Sequence, residues 1–145
     1  MTGAAEKSRL TDRPNKRRAG ADAGGLAVAD SRPRVIGGFL IGARCTDCRH
    51  PLSQLEVPWC PVCFGRVEQC GFAPVGTVWA ATTVRIPVGR WRAPFGLAYV
   101  DVLDGPRVLV HVRCEPTPSA GDKIAFDLSE SGDLVQIDLE QEVAS

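Results

Sequence analysis

The sequence predicts an all-β protein in two parts, a small cysteine-stapled ribbon followed by a five-stranded barrel. Three observations predict it. Four cysteines stand in two C-x2-C pairs, Cys45-Thr-Asp-Cys48 and Cys60-Pro-Val-Cys63, with eleven residues between the pairs. From Pro74 onward, β-branched runs alternate with short turns. No amphipathic helical pattern of useful length occurs in the 145 residues.

Residues 1–34 read as a disordered tail. They have no apolar periodicity, and no aromatic residue precedes Phe39. Lys7, Arg9, Arg13, Lys16, Arg17 and Arg18 alternate with glycine, alanine, aspartate and proline. Arg13-Pro-Asn-Lys-Arg-Arg18 has the composition of an arm for nucleic acid or an anionic surface. Basic residues spread this thinly fit a solvated terminus better.

Residues 35–72 form the ribbon. Two residues between cysteines let one tight turn aim both sulfurs at a single point, and two such turns build a tetrahedral all-sulfur metal site from Cys45, Cys48, Cys60 and Cys63. Four thiolates fill the shell of Zn²⁺ and leave no position for water or substrate, so the site is structural and not catalytic. Iron suits the same geometry, and spacing does not choose between the two. Phe39–Arg44 and Leu55–Trp59 suit strands leading into the cysteine turns, and Val67–Phe72 closes a three-stranded ribbon. So short a segment buries little, and metal binding must supply most of its folding free energy, of order 10 kcal/mol or more at neutral pH.

Residues 73–140 form the barrel, ahead of a tail at 141–145. Its expected strands are Thr77–Ile86, Leu97–Leu103, Val108–Arg113, Lys123–Leu128 and Leu134–Leu139. Asp104-Gly-Pro-Arg107, Gly121-Asp122 and Ser131-Gly-Asp133 supply turns. Five closely spaced strands suit a small Greek-key barrel of the OB type, with a β-sandwich as the rival. Trp79 and Tyr99 are expected in the core.

Composition narrows the class. The formal net charge is zero, but residues 1–34 carry eight Lys/Arg against four Asp/Glu, leaving nine against thirteen elsewhere. A body near −4 opposes a phosphate track. The start lacks an apolar signal region, and no run approaches a membrane helix. Paired thiolates then suit a reducing cytoplasm better than a disulfide framework. Cys70 and Cys114 lack partners at ligand spacing and read as small buried residues. The alanine, glycine, arginine and valine content looks bacterial.

Taken together, these motifs resemble a family that joins a rubredoxin-like zinc ribbon to an OB-fold barrel, long known only as a domain of unknown function. The matching residues are Gly42–Cys48, Cys60–Cys63, Gly76–Val84, Pro94–Val102, Asp104–Leu109 and Ala120–Ile124, across about residues 36–140. The order of the motifs is specific, and any one alone is not. The chain departs from the family at Arg49-His50, where a glycine usually follows the second cysteine, and at Val57-Pro58-Trp59, where an arginine often precedes the third. The basic tail replaces the N-terminal helices of many members. The resemblance implies a non-catalytic subunit of bacterial or archaeal acyl-CoA-associated systems. Such a subunit forms a hetero-oligomer with a thiolase-fold enzyme (thiolase, acyltransferase or aldolase), and in some systems it helps to hold acyl-CoA.

His111 reads as a strand histidine rather than a general base, and His50 as loop beside a sulfur set already complete. No nucleophile elbow, phosphate loop or H-E-x-x-H occurs, so an independent enzyme is the weakest class. The loop around Arg85, Arg90, Trp91, Arg92 and Phe95 stands out, because arginine forks suit phosphate or carboxylate and tryptophan anchors interfaces. Three readings of it stay open: partner docking, contact with CoA phosphates, or plain surface. The competing class is nucleic-acid binding, since ribbons and OB barrels both occur there.

Overall fold

The computed structural model describes residues 30–139. The predicted basic arm, with the rest of residues 1–29, and the tail at 141–145 lie outside them. The ribbon is a four-stranded antiparallel sheet: β1 (Arg34–Ile36), β2 (Phe39–Cys45), β3 (Pro51–Leu52) and β4 (Val67–Phe72). β2 is its centre. One edge of β2 pairs with β1 and then with β3, and the other pairs with β4 along its length.

Two expectations are corrected here. The ribbon expected to have three strands has a fourth, β1, which pairs back through Gly37 and Gly38, both at positive φ (60° and 82°). Glycine is what lets a two-residue hairpin turn of this hand form without strain. The second correction is Leu55–Trp59, which is not a strand. Pro58 removes an amide that a ladder would need, and Leu55 and Trp59 are both exposed. The ribbon strand that does follow the first knuckle is the short β3.

The barrel consists of β5 (Val75–Val84), β6 (Phe95–Val102), β7 (Arg107–Val112), β8 (Lys123–Leu128) and β9 (Leu134–Ile137). It closes in the order β5-β6-β7-β9-β8, with β8 returning to β5. β7 and β9 run parallel, and every other pairing is antiparallel. Five strands closed in this Greek-key order are the OB-type barrel that the sequence pattern suggested, and no sandwich is present among the described residues.

Alternation places Ala98, Val100 and Val102 of β6 and Val108, Val110 and Val112 of β7 inward, where they pack with Val78, Ile124, Phe126 and Leu134. Leu40 and Phe72 of the ribbon belong to the same cluster, so the ribbon's base and the barrel share one hydrophobic core. Trp79 is a further correction, because it is exposed and not in the core. The register of β5 against β6 slips between Val78 and Ala80, a β-bulge at Trp79. Val78 points inward, so alternation itself sends the indole outward, and the extra residue lets Ala80 face the same side. Tyr99 is exposed on the same face, and Cys70 and Cys114 are half-buried.

Candidate metal centre

The two knuckles repeat one backbone design. The Cys45 amide donates to the His50 carbonyl (3.0 Å), and the Cys60 amide donates to Gly65 (2.9 Å). The Arg49 amide returns to the Cys45 carbonyl (3.1 Å), as Phe64 does to Cys60 (2.9 Å). Amides also aim at sulfur: Asp47 and Cys48 donate to Cys45 Sγ at 3.4 and 3.5 Å, and Val62 donates to Cys60 Sγ at 3.4 Å. Arg49 and Phe64, each directly after the second cysteine of its pair, take positive φ (69° and 64°). Arg49 therefore adopts a conformation that glycine takes freely, at a cost on the order of 1 kcal/mol. Gly65 has a different constraint. A Cβ there would lie 2.4 Å from an Asp47 carboxylate oxygen and 3.1 Å from Cys45 Sγ.

These turns bring the four sulfurs within 4.8 Å of one another. Cys45 and Cys63 Sγ are 3.4 Å apart, and Cys48 and Cys60 Sγ are 3.6 Å apart. Metal–sulfur bonds of about 2.3 Å place the sulfurs of a tetrahedral shell about 3.8 Å apart, so the donor set fits one ion. Cys45 and Cys60 are buried, whereas Cys48 and Cys63 reach the surface. His50 contributes its backbone carbonyl and is not a member of the group.

The sulfurs differ in acidity. The Cys48 amide lowers the Cys45 thiol to about 7, helped by the Asp47 amide and neighbouring sulfurs against the effect of burial. The His50 amide also favours the Cys48 thiolate, but burial and the other three sulfurs outweigh it and push that thiol up to about 12. Cys63 is likewise raised, its Gly65 amide being outweighed by Cys45 and burial. Crowded thiols thus resist ionising together, and a divalent cation at their centre is what makes four thiolates compatible.

Arg44 links this centre to the barrel. Its Nη1 donates to the Arg49 carbonyl at 2.8 Å, and its Nη2 donates to the Asp104 carbonyl in the β6–β7 turn. The guanidinium lies 5.3 Å from the centre of the Phe72 ring and 3.6 Å from the Asp104 carboxylate. One side chain thereby ties a metal knuckle, the shared core and the barrel turn.

The five residues of the predicted contact loop separate into two groups. Arg85, Arg90 and Arg92 are exposed. Phe95 is buried, and Trp91 is half-buried and faces the barrel wall. The indole stacks on the His111 ring (3.6 Å, 8° between planes) and donates from Nε1 to Asp133 at 3.2 Å. Phe95 packs beside both rings. This clasp escaped the sequence reading because His111 lies far along the chain from Trp91. The cross-strand pair Leu97 and His111 brings them together.

A four-cysteine ribbon built onto a five-stranded OB-type barrel is the class that fold and site define. No family model matches the chain. No curated protein matches it. Among solved structures it is similar to one described as "Ltp2-ChsH2(DUF35) aldolase", with a TM-score of 0.54 and 22% identity over 68% of this chain and 83% of that chain. At that identity the likeness shows the shared fold.

Proposed function

We propose that the protein is a non-catalytic, zinc-bearing accessory subunit that docks on a thiolase-fold enzyme acting on acyl-CoA or related thioesters and supports its assembly or activity. The observation that carries this reading is the likeness in fold to a DUF35 chain of an aldolase, spanning most of that chain. The cysteine centre supports it from chemistry. Cys45, Cys48, Cys60 and Cys63 saturate a tetrahedral ion, and a saturated ion stabilises a fold without offering a reaction coordinate. Zinc is the ion proposed, because a structural role needs neither redox activity nor an open position. Arg85, Arg90 and Arg92 are the contact side chains of this reading, and Trp91 and Phe95 hold them in place. Free thiols at such a centre suit a reducing cytoplasm. No helix among the described residues is long and apolar enough to cross a membrane.

The test is purification of the tagged chain from its own cells, with mass spectrometry of bound proteins and metal analysis of the same sample. A stoichiometric thiolase-fold partner with one zinc per chain is expected. Zinc with co-purified nucleic acid and no such partner would replace this reading with a nucleic-acid-binding ribbon–barrel protein.

A further inference from the structure

The outer face of β5, β6 and β7 carries an open apolar groove of about 390 Å³. It is lined by Trp79, Leu97, Tyr99 and Leu109, and the smaller Ala80 and Thr82 leave open space at its floor. Trp79, Tyr99 and Leu109 are 53%, 49% and 47% exposed. The register explains the groove. Ala80 pairs with Tyr99, Tyr99 with Leu109, and Thr82 with Leu97, so small outward side chains on β5 lie beside large ones on β6 and β7.

The groove has two chemically different ends. At one, Arg107 covers a face of the Trp79 ring (4.0 Å) and is neutralised by Asp101 (2.6 Å). The other runs, two residue pairs beyond Thr82 and Leu97, into the β5–β6 loop that carries Arg85, Arg90 and Arg92. Among the described residues, no carboxylate pairs with these three arginines. The loop is braced by a Val88–Trp91 backbone bridge and by the Trp91 stack on His111. The three charges are thus attached to an ordered loop, which lowers the entropy lost when they meet a partner.

We propose that this face docks an apolar segment of a protein partner whose flank carries carboxylates: the apolar side chains enter the groove and the carboxylates meet Arg85, Arg90 and Arg92. The proposal rests on the accessory-subunit reading for the identity of the partner, and it assigns that partner's footprint. A cationic end beside an uncharged apolar trough selects an occupant with the complementary pattern. Trp79 and Tyr99 are the amphipathic ring anchors that interface centres favour. Single-stranded nucleic acid is less well matched to this face. Bases need open ring faces, and here Arg107 covers Trp79 while Tyr99 meets it edge-on (66°).

The test uses the full metal-loaded chain and fluorescence anisotropy. The probes are a labelled peptide of alternating leucine and serine ending in aspartates, its twin ending in lysines, and a labelled oligothymidylate. The acidic peptide is expected to bind at least about tenfold more tightly than the basic one. Tyr99→Asp should abolish binding, and the triple change Arg85→Glu, Arg90→Glu, Arg92→Glu should reverse the preference. Thr82→Trp, which fills the floor, gives a second readout if Tyr99→Asp misfolds. Equal binding of the two peptides, no binding of either, or oligothymidylate binding that Tyr99→Asp removes would each overturn the proposal. The two readings fail separately. A thiolase-fold partner that still co-purifies with the Tyr99→Asp chain would sink the groove and leave the accessory role standing. Selective capture of the acidic peptide by a chain that co-purifies with no such enzyme would do the reverse.

Discussion

In the ribbon, Leu40, Ala43 and Phe72 are buried together with Cys45 and Cys60, while Trp59, Val62 and Phe64 near its tip lie in the open. The barrel buries a continuous set from Val78 through Val100 and Val110 to Phe126 and Leu134. Both regions are sheet, antiparallel throughout except for the β7–β9 pair of the barrel, so backbone pairing does little to distinguish them. What differs is the source of the free energy that holds each together. The barrel removes enough apolar surface from water to offset the entropy of its own chain. The ribbon buries apolar groups at its base, where Leu40 and Phe72 join the barrel core, and relies at its tip on four sulfurs. A sheet of one architecture can therefore be ligand-dependent at one end of a molecule and self-sufficient at the other.

The largest expected effect comes from removing the metal. Chelation, or Cys60→Ser, should cost the ribbon on the order of 10 kcal/mol and erase amide protection around both knuckles. Hydrogen exchange should show the barrel strands still protected, weakened only by the loosening of Leu40 and Phe72. A Cys60→Ser chain that kept its metal and its knuckle protection would end the comparison, because the ribbon would then be stable by burial alone.

The converse change strikes the barrel. Phe126 is fully buried at the centre of the cluster, and Phe126→Ala should cost about 3–5 kcal/mol in denaturant unfolding. Metal content at neutral pH should be unchanged wherever the chain is still folded. Loss of metal in step with this cavity would mean that the barrel, and not the sulfur set, organises the knuckles.

Arg44 measures how far the two regions share stability. Its side chain is 17% exposed and bonded to carbonyls on both sides of the junction. Arg44→Ala should cost about 1.5–3 kcal/mol, the range for hydrogen bonds from a charged donor. The sharper readout is coupling. Chelation should lower the barrel's melting temperature less in Arg44→Ala than in the parent, because the strap that transmits ribbon loss has gone.

The sequence made some of this legible, and for identifiable reasons. Cysteine spacing is a local code, because two intervening residues suffice to aim two sulfurs, and the structure duly gathers the four Sγ atoms. Strand alternation in β6 and β7 is equally local, and the five barrel strands could be placed to within a few residues. The short β1 was hidden because three residues, Arg34–Ile36, are too few to show alternation, and the Gly37-Gly38 turn that pairs them back was not read as a hairpin. Leu55–Trp59 misled because apolar content was taken for strand in a stretch where proline forbids a ladder. Trp79 and Tyr99 misled because large aromatic side chains in strands read as core, whereas both project from the outer face of the barrel. The loop arginines were visible as a cluster, but the fold of their loop depends on a stack between residues twenty positions apart, which no local pattern encodes.

That stack provides the smallest test, and it lies wholly within the barrel. Burial lowers the His111 pKa from its ordinary value, only partly opposed by Asp133, and His111 Nδ1 is buried without a hydrogen-bond partner. Asp133 is itself held low: burial opposes its charge, but the Trp91 indole, Ser131, Arg32 and His111 together outweigh that. Both groups therefore have folded pKa values below their unfolded ones. Each contributes stability that is present above the unfolded value and lost as pH falls through the folded one. The histidine part should fade below about pH 6.5, and the aspartate part below about pH 4. His111→Phe keeps an aromatic ring against Trp91 and cannot titrate. Its melting temperature should change less than the parent's between neutral pH and about pH 5, by a few degrees. Thiolate protonation at the knuckles acts on both chains alike and cancels in that difference. Parallel pH profiles for the two proteins would show that His111 is a packing ring and nothing more.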